Sequence, residues 1–349
     1  MTCAVLPLTL SFVTMDQVNL KRLAKELGLA ISTVSRALRD SHEISQETKD
    51  RVQALADKLG FQPNPHASSL RKNKSKTIAV IVPEIENNFF SGAINGIELI
   101  AKQKGYHVLI YLTHEDFQLE KGILQLLQNG RVDGLMISVS NTTTTADHLV
   151  GSSQAGLPIV FFDRVFEDLD VPMITTDDIE VSFRATEYLI KKGCKKIAFL
   201  SMAENLSISK RRHSGYQKAI EKYLPGGWHK TVPCTPNDEQ NRQLINNLMA
   251  EPDAPDGIFA AVEKFAINTY QVCNERKICI PQQLKVISFS NYSATALFNP
   301  PLSSIIQPAF EIGREAAAIL FKIIENKKLL TSEKKVILPS QIIYRGSTA

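Results

Sequence analysis

Residues 20–38, LKRLAKELGLAISTVSRAL, leave the chain few choices of fold. Leu20, Leu23, Ala24 and Leu27 recur at the spacing of one helical face. Asn19 precedes that face as a natural N-cap. Gly28 follows it, where a left-handed residue can stop a helix without strain. A second periodic run starts near Ile31. Val34, Ala37 and Leu38 face inward on it, while Ser32, Thr33, Ser35 and Arg36 are free to face out. Two short helices joined this tightly read as a helix-turn-helix. Hydroxyls interleaved with an arginine suit a helix laid in a DNA major groove, because hydroxyls bond phosphate and a guanidinium can fork onto guanine O6 and N7. The pattern also fits an ordinary helical hairpin with a polar outer face.

Ser45 caps a third helix, with Glu47 in its first turn where the helix dipole favours an acid. Val52, Leu55, Ala56 and Leu59 form its apolar stripe, and Gly60 ends it. Three such helices would enclose Leu20, Leu23, Val34, Leu38, Val52 and Leu55. A bundle of roughly 45 residues is marginal alone and gains from a partner. Charge follows the same division. Residues 1–76 hold 12 Lys/Arg against 7 Asp/Glu, whereas the remainder holds 28 against 29. A basic front on a near-neutral body suits a DNA-binding head on a ligand-binding domain.

From Thr77 onward, short apolar runs alternate with amphipathic stretches. Strands are expected at 77–82, 107–112, 134–139, 158–162, 173–176, 197–202, 257–262 and 285–290. Helices are expected between them, among others at 90–104, 117–129, 178–192 and 238–250. That alternation implies parallel sheets covered on both faces, and the strand count calls for two doubly wound lobes divided near 175–178.

Several sequence blocks resemble the lactose-repressor/galactose-repressor (LacI/GalR) family of bacterial transcription regulators. They are ELGLAISTVSRAL, ISQETKDRVQALADKLGFQPNP, HASSLRKNKSKTIAVIVPEIENNFF, RVDGLMI, FFDR, RRHSGY and SSIIQP, in family order from about Asn19 to the C-terminus. The resemblance implies an all-α helix-turn-helix headpiece over 15–62, a hinge over 63–76, and an α/β core of the periplasmic-binding type over 77–349. Lobe 1 would take about 77–175 plus 304–328, and lobe 2 about 176–303 plus 335–346. A homodimer would read a palindromic operator in double-stranded DNA through Ile31, Ser32, Thr33, Ser35 and Arg36. Leu70 would enter the minor groove as a wedge, with Arg71 and Lys72 on phosphate.

By the same resemblance a small-molecule effector lies between the lobes, and Asp163 and Arg212, able to bond hydroxyls or an anionic group beside the aromatic Phe90, suit a sugar or sugar phosphate. The resemblance puts Phe90, Asp163, Arg212 and Gln307 at effector-contacting positions and Glu263 and Ser290 in the family's motifs, while polar or aromatic strand ends add Phe89, Arg164 and Asn291. Read without the family, Asp163 is equally a turn cap and Phe90 equally core. The chain also departs from the family's pattern. Ser68 stands where an arginine is usual in the hinge, Ser290 replaces an acid, Val262 an asparagine, and Ala30 the serine that caps the recognition helix. Loss of such a cap costs on the order of 1 kcal/mol.

Other classes have less support. There is no Walker loop, no GxGxxG after a strand, no GxSxG and no HExxH, so no enzyme and no cofactor are expected. Five scattered cysteines give neither a disulfide framework nor zinc spacing, and no run approaches the ~20 apolar residues of a membrane span, so a cytoplasmic protein is expected. Residues 1–14 carry an apolar run without the basic start of a signal peptide, and Met15 is the expected natural start. A solute-binding protein of the periplasmic type is the rival reading. It would share the core and lack the basic head.

Overall fold

The computed structural model describes residues 19–61, 74–128, 130–154 and 156–349. These fall into two compact units, one within residues 1–71 and one within 72–349. Met15 and most of the expected hinge, including Ser68, Leu70, Arg71 and Lys72, lie outside the described residues.

The first unit is three helices, α1 (Leu20–Leu27), α2 (Ile31–Ala37) and α3 (Gln46–Leu59). Asn19 caps α1 by accepting the Arg22 N–H at 3.0 Å, and Gly28 closes it at φ +66°. Ser45 caps α3 through the Thr48 N–H. Ala30 gives α2 no side-chain cap. Leu23, Val34 and Val52 form the centre, closed in by Ala24, Ala37 and Ala56. Leu20, Leu38 and Leu55, expected in the core, are only partly buried around it. Three short helices crossing this closely leave room for alanine at the crossings, so the larger leucines ring the edge.

The second unit runs β1 (Thr77–Val82), α4 (Asn88–Gln103), β2 (His107–Leu112), α5 (Phe117–Leu127), β3 (Leu135–Ile137), α6 (Asp147–Gln154), β4 (Ile159–Phe162) and β5 (Met173–Thr176). It continues with α7 (Asp178–Lys191), β6 (Ile197–Ser201), α8 (Ser207–Tyr223), β7 (His229–Pro233), α9 (Asp238–Leu248), β8 (Gly257–Ala260), α10 (Glu263–Arg276), β9 (Lys285–Phe289) and β10 (Ser303–Ile306). Last come α11 (Ala309–Ile324), α12 (Thr331–Lys334), β11 (Lys335–Leu338) and β12 (Gln341–Ile343). Two six-stranded sheets result, ordered β11-β5-β4-β3-β1-β2 and β12-β10-β9-β8-β6-β7. All pairings are parallel except β10 with β12. The central strands β3, β4, β5, β6 and β8 are buried along their whole length, which is why they read as unbroken apolar runs. The edge strand β2 departs from that expectation, with Leu109 and Ile110 exposed.

The lobe boundaries need correction at the C-terminal end. β10 lies beside β9 in the second lobe's sheet, so lobe 1 regains the chain at α11 and not at residue 304. The stretch 335–346, expected as one strand of lobe 2, is two. β11 pairs with β5 in lobe 1, and β12 pairs with β10 in lobe 2. Pro339 separates them, lacking the N–H a continuous ladder would need. The chain therefore crosses between lobes at 176–178, 306–309 and 338–341.

Helix α4 packs on α11, and α7 on α8, at glycines. A Cβ on Gly313 would overlap the Ala93 carbonyl, and one on Gly215 would overlap the Ile179 carbonyl. We expect Gly313→Ala to cost at least about 2–3 kcal/mol in urea unfolding. Gly122→Ala, on the exposed face of α5 with open space around it, should be neutral or stabilise by up to about 1 kcal/mol. Equal stabilities for the two variants would contradict the packing described.

Candidate functional site

The outer face of α2 presents the residues expected there. Val34 and Ala37 point into the bundle, which turns Ile31, Ser32 and Arg36 outward and leaves Thr33 and Ser35 half-buried. Ile31 is 46% exposed, a large apolar side chain with no packing role in the head. Arg36 Nη1 donates to Glu43 Oε2 at 2.8 Å. Ser35 is already engaged, since Arg39 Nε donates to its carbonyl at 2.8 Å and Arg39 Nη2 to its hydroxyl. That link follows from the four-residue spacing of a helical turn, which the sequence displays.

In the second unit one cleft lies between the lobes. Lobe 1 supplies Phe89, Phe90, Asp163 and Arg164 to its lining, and lobe 2 supplies Arg212, Glu263, Ser290 and Asn291. Gln307, on a crossing segment, completes the set expected from sequence. Arg164, named from its strand end, lines the cleft as well, and Asn87, Met202, Ile208, Val262 and Phe289 line it without having been expected. Phe289 and Met202 sit at or beside strand ends, whereas Ile208 lies in the first turn of α8 and carries no such signal.

Phe90 is both core and cleft wall. It is 1% exposed, stands edge-on to Phe89 and Phe162, and has the Arg164 guanidinium over its ring at 5.7 Å. Asp163 is more than a turn cap. Its backbone is left-handed at φ +61°, its N–H donates to the Ile174 carbonyl, and its Oδ1 accepts from Gln307 Nε2 at 3.4 Å. An Asp tolerates that conformation better than most side chains. Burial pushes the Asp163 carboxyl above the ordinary carboxylate range, and Arg212 and Arg164 only partly oppose this.

The two guanidiniums are already committed. Arg212 Nε donates to Asp178 Oδ1 at 2.8 Å, and Nη1 donates to the Ala261 carbonyl at 2.7 Å. Its guanidinium also lies 3.7 Å from the Phe289 ring centroid. Arg164 Nη1 donates to both carboxylate oxygens of Glu115, at 2.8 and 2.9 Å. Glu263 and the departure at 290 work as a pair. Ser290 Oγ donates to Glu263 Oε2 at 2.7 Å, so a carboxylate from the start of α10 reaches the place where the loop lacks an acid. Burial raises the Glu263 pKa against the opposing hydrogen bonds from Ser290 and the Tyr292 N–H.

Asn291 faces the crossing segments more than the cleft. Its Nδ2 donates to the Gln307 carbonyl at 2.7 Å and its Oδ1 accepts the Gln307 N–H at 3.2 Å. Gln307 Nε2 also donates to Thr176 Oγ1 at 3.2 Å, and the Ser340 N–H donates to Asp177 Oδ1 at 2.7 Å. The three crossings are thus tied side by side. At the open side the lobes meet again. Asn205 Nδ2 donates to the Asn141 carbonyl at 2.6 Å, the Val165 N–H donates to Ser207 Oγ at 3.1 Å, and Arg211 pairs with Glu167 at 2.7 Å. The cavity between them is about 30 Å³, room for one water, so a larger ligand needs the lobes to part.

A helix-turn-helix unit followed by a two-lobe, cleft-bearing core is the build of a bacterial transcription regulator. The chain belongs to the LacI family: "Bacterial regulatory proteins, lacI family" matches residues 19–64, and "Periplasmic binding proteins and sugar binding domain of LacI family" matches 75–345. The HTH-type transcriptional repressor CytR of Escherichia coli (strain K12) is 28% identical over 338 residues, covering 95% of this chain and 96% of that protein. A crystal structure of a periplasmic binding protein/LacI transcriptional regulator from Alkaliphilus metalliredigens, complexed with D-xylulofuranose, aligns at TM-score 0.68 and 26% identity, over 78% of this chain and 99% of that one. The lac repressor dimer bound to operator and the anti-inducer ONPF aligns at TM-score 0.83 and 20% identity over 95% and 99%, a likeness of fold. No helix among the described residues is long and apolar enough to cross a membrane.

A carboxyl whose folded pKa is raised destabilises the protein above that pKa, and this cost vanishes below the unfolded pKa. Asp163→Asn should therefore raise the melting temperature of the ligand-free protein near about pH 8 and change little near about pH 3.5. Asn also accepts the left-handed backbone. Calorimetric melts across that range check this, and a loss of stability at the higher pH would contradict it.

Proposed function

We propose that this protein is a sequence-specific, homodimeric transcription regulator whose affinity for a palindromic operator is set by a small uncharged polyhydroxyl metabolite between its lobes. The observation that carries the reading is convergence. Eight residues chosen from distant parts of the sequence line one cleft in the unit that follows a helix-turn-helix. On this reading the protein works in the cytoplasm on genomic DNA and carries out no catalysis. Exposed Leu99, Leu109 and Ile110 on α4 and β2 supply apolar surface for a second copy.

The charges favour a sugar or nucleoside over its phosphate. Each cleft guanidinium already holds a carboxylate, Arg212 with Asp178 and Arg164 with Glu115. No guanidinium bonds Asp163, whose nearest, Arg164, stands 4.0 Å away, and Glu263 has a serine. A phosphate would meet more negative than positive charge, whereas hydroxyls can donate to both acids. The D-xylulofuranose bound to the Alkaliphilus relative, an uncharged sugar, agrees with this. A solute-binding protein would share the cleft but has no use for the basic head, and the match over residues 19–64 favours the regulator.

Gel retardation on genomic fragments should show selective binding by the full chain and none by a chain beginning at Thr77. Arg36→Ala should cost about 1–3 kcal/mol at the selected site and relax preference at one base pair. An unchanged preference would reject α2 as the reading helix. Calorimetry against uncharged aldoses and nucleosides and their phosphates should find the ligand in the uncharged series. A phosphate as the tightest ligand would refute the charge argument.

A further inference from the structure

Glu43 stands in the loop between α2 and α3, and its carboxylate holds Arg36 at 2.8 Å. We propose that Glu43 is a specificity-determining residue. It positions the Arg36 guanidinium for guanine and penalises DNA that does not offer one. The inference rests on the DNA-binding reading of α2.

The fold of the loop, and not the ion pair, fixes where Glu43 sits. The Ser41 N–H donates to the Arg36 carbonyl at 3.1 Å, and the Asp40 N–H to the Ala37 carbonyl at 3.0 Å. Lys49 on α3 binds Asp40 Oδ1 at 2.6 Å, a bond that holds the Asp40 carboxyl below its ordinary range. One residue past Glu43, Ile44 packs against the headpiece core and donates its N–H to the Ser41 carbonyl. Glu43 is thus delivered beside Arg36 whether or not the two bond.

Only Nη1 of Arg36 is engaged, and among the described residues no other bond restrains its side chain. The edge formed by Nε and Nη2 keeps two donors in the geometry that matches O6 and N7 of guanine. Arg39, the neighbouring arginine, has folded its fork back onto Ser35, so Arg36 is the arginine of α2 left to read a base.

The energetics give Glu43 two effects. Both side chains are 53% exposed, so in water the pair contributes little to stability. It does restrict a long side chain before binding, which lowers the ordering cost of the fork. Once the groove excludes water, the pair strengthens, and the guanidinium between carboxylate and guanine is satisfied on both sides. At a site without guanine, Arg36 bonds the base poorly. The carboxylate then adds repulsion from the phosphates with no compensating contact, so general affinity falls while discrimination rises.

The test compares full-length wild type with Glu43→Gln, Arg36→Ala and the double variant. Each is assayed for binding to a site selected by wild type from random duplex DNA, to that site with its contacted guanine replaced, and to unrelated DNA. Glu43→Gln should bind unrelated DNA several-fold more tightly and lose about tenfold in discrimination at the guanine. With Arg36→Ala already present, it should still raise general affinity but leave discrimination untouched. Glu43→Asp keeps the charge but shortens the reach, so it should lose discrimination without gaining general affinity. Full discrimination by Glu43→Gln, or the same loss in both Arg36 backgrounds, would overturn the inference. A wild type that selects no sequence would fail the DNA-binding reading itself, a result distinguishable from the other two.

Discussion

Gln307 makes cleft and pivot a single object. Its amide nitrogen donates to Asp163 in lobe 1 and to Thr176 at the first crossing, while its backbone exchanges two hydrogen bonds with Asn291 in lobe 2. The residue is 7% exposed, so each of these groups must keep a partner or bear the cost of a buried orphan. A ligand that takes Asp163 as an acceptor competes for a bond that also helps fix the angle between the lobes. On the proposed reading, binding and lobe geometry would be coupled through these shared partners, without a long chain of contacts.

The cleft's charged groups divide into guanidiniums already bonded to a carboxylate and carboxyls that no guanidinium bonds directly. Arg212 belongs to the first group. Asp178, the Ala261 carbonyl and the Phe289 ring surround it, and this buried pair joins α7, α8 and the end of β8. Removing one member of such a pair would leave an uncompensated charge in the interior. Asp163 and Glu263 belong to the second. Both carboxyls are pushed up by burial, a cost of the ionised forms that the proposed hydroxyl-bearing ligand would relieve.

Much of this architecture is legible in the sequence because it is local. Asn19, Gly28, Ser45 and Gly60 mark helix ends by their chemistry, and buried strands such as IVFF announce themselves as apolar runs. What is not local is not legible. KVIL and QII look like one strand until their partners are known, and β10, expected to begin lobe 1's return segment, belongs beside β9 in lobe 2. β7, with the sequence HKTVP, is a half-exposed edge strand with no periodicity to detect, and it was not expected at all. The cleft residues were reachable by resemblance, but their partners were not. Nothing in RRHSGY reveals that Arg212 is already bound to Asp178, and nothing in FFDR reveals that Arg164 is bound to Glu115.

The central claim is that one protein binds DNA and a metabolite, and that each binding event changes the other. Linkage requires the coupling to be reciprocal. The direct measurement is a pair of titrations on the full chain: ligand affinity by calorimetry with and without saturating operator, and operator affinity by fluorescence anisotropy with and without saturating ligand. The account predicts a fold-change different from one and equal in the two directions. Identical affinities with and without the other partner, in a protein shown to bind both, would contradict it.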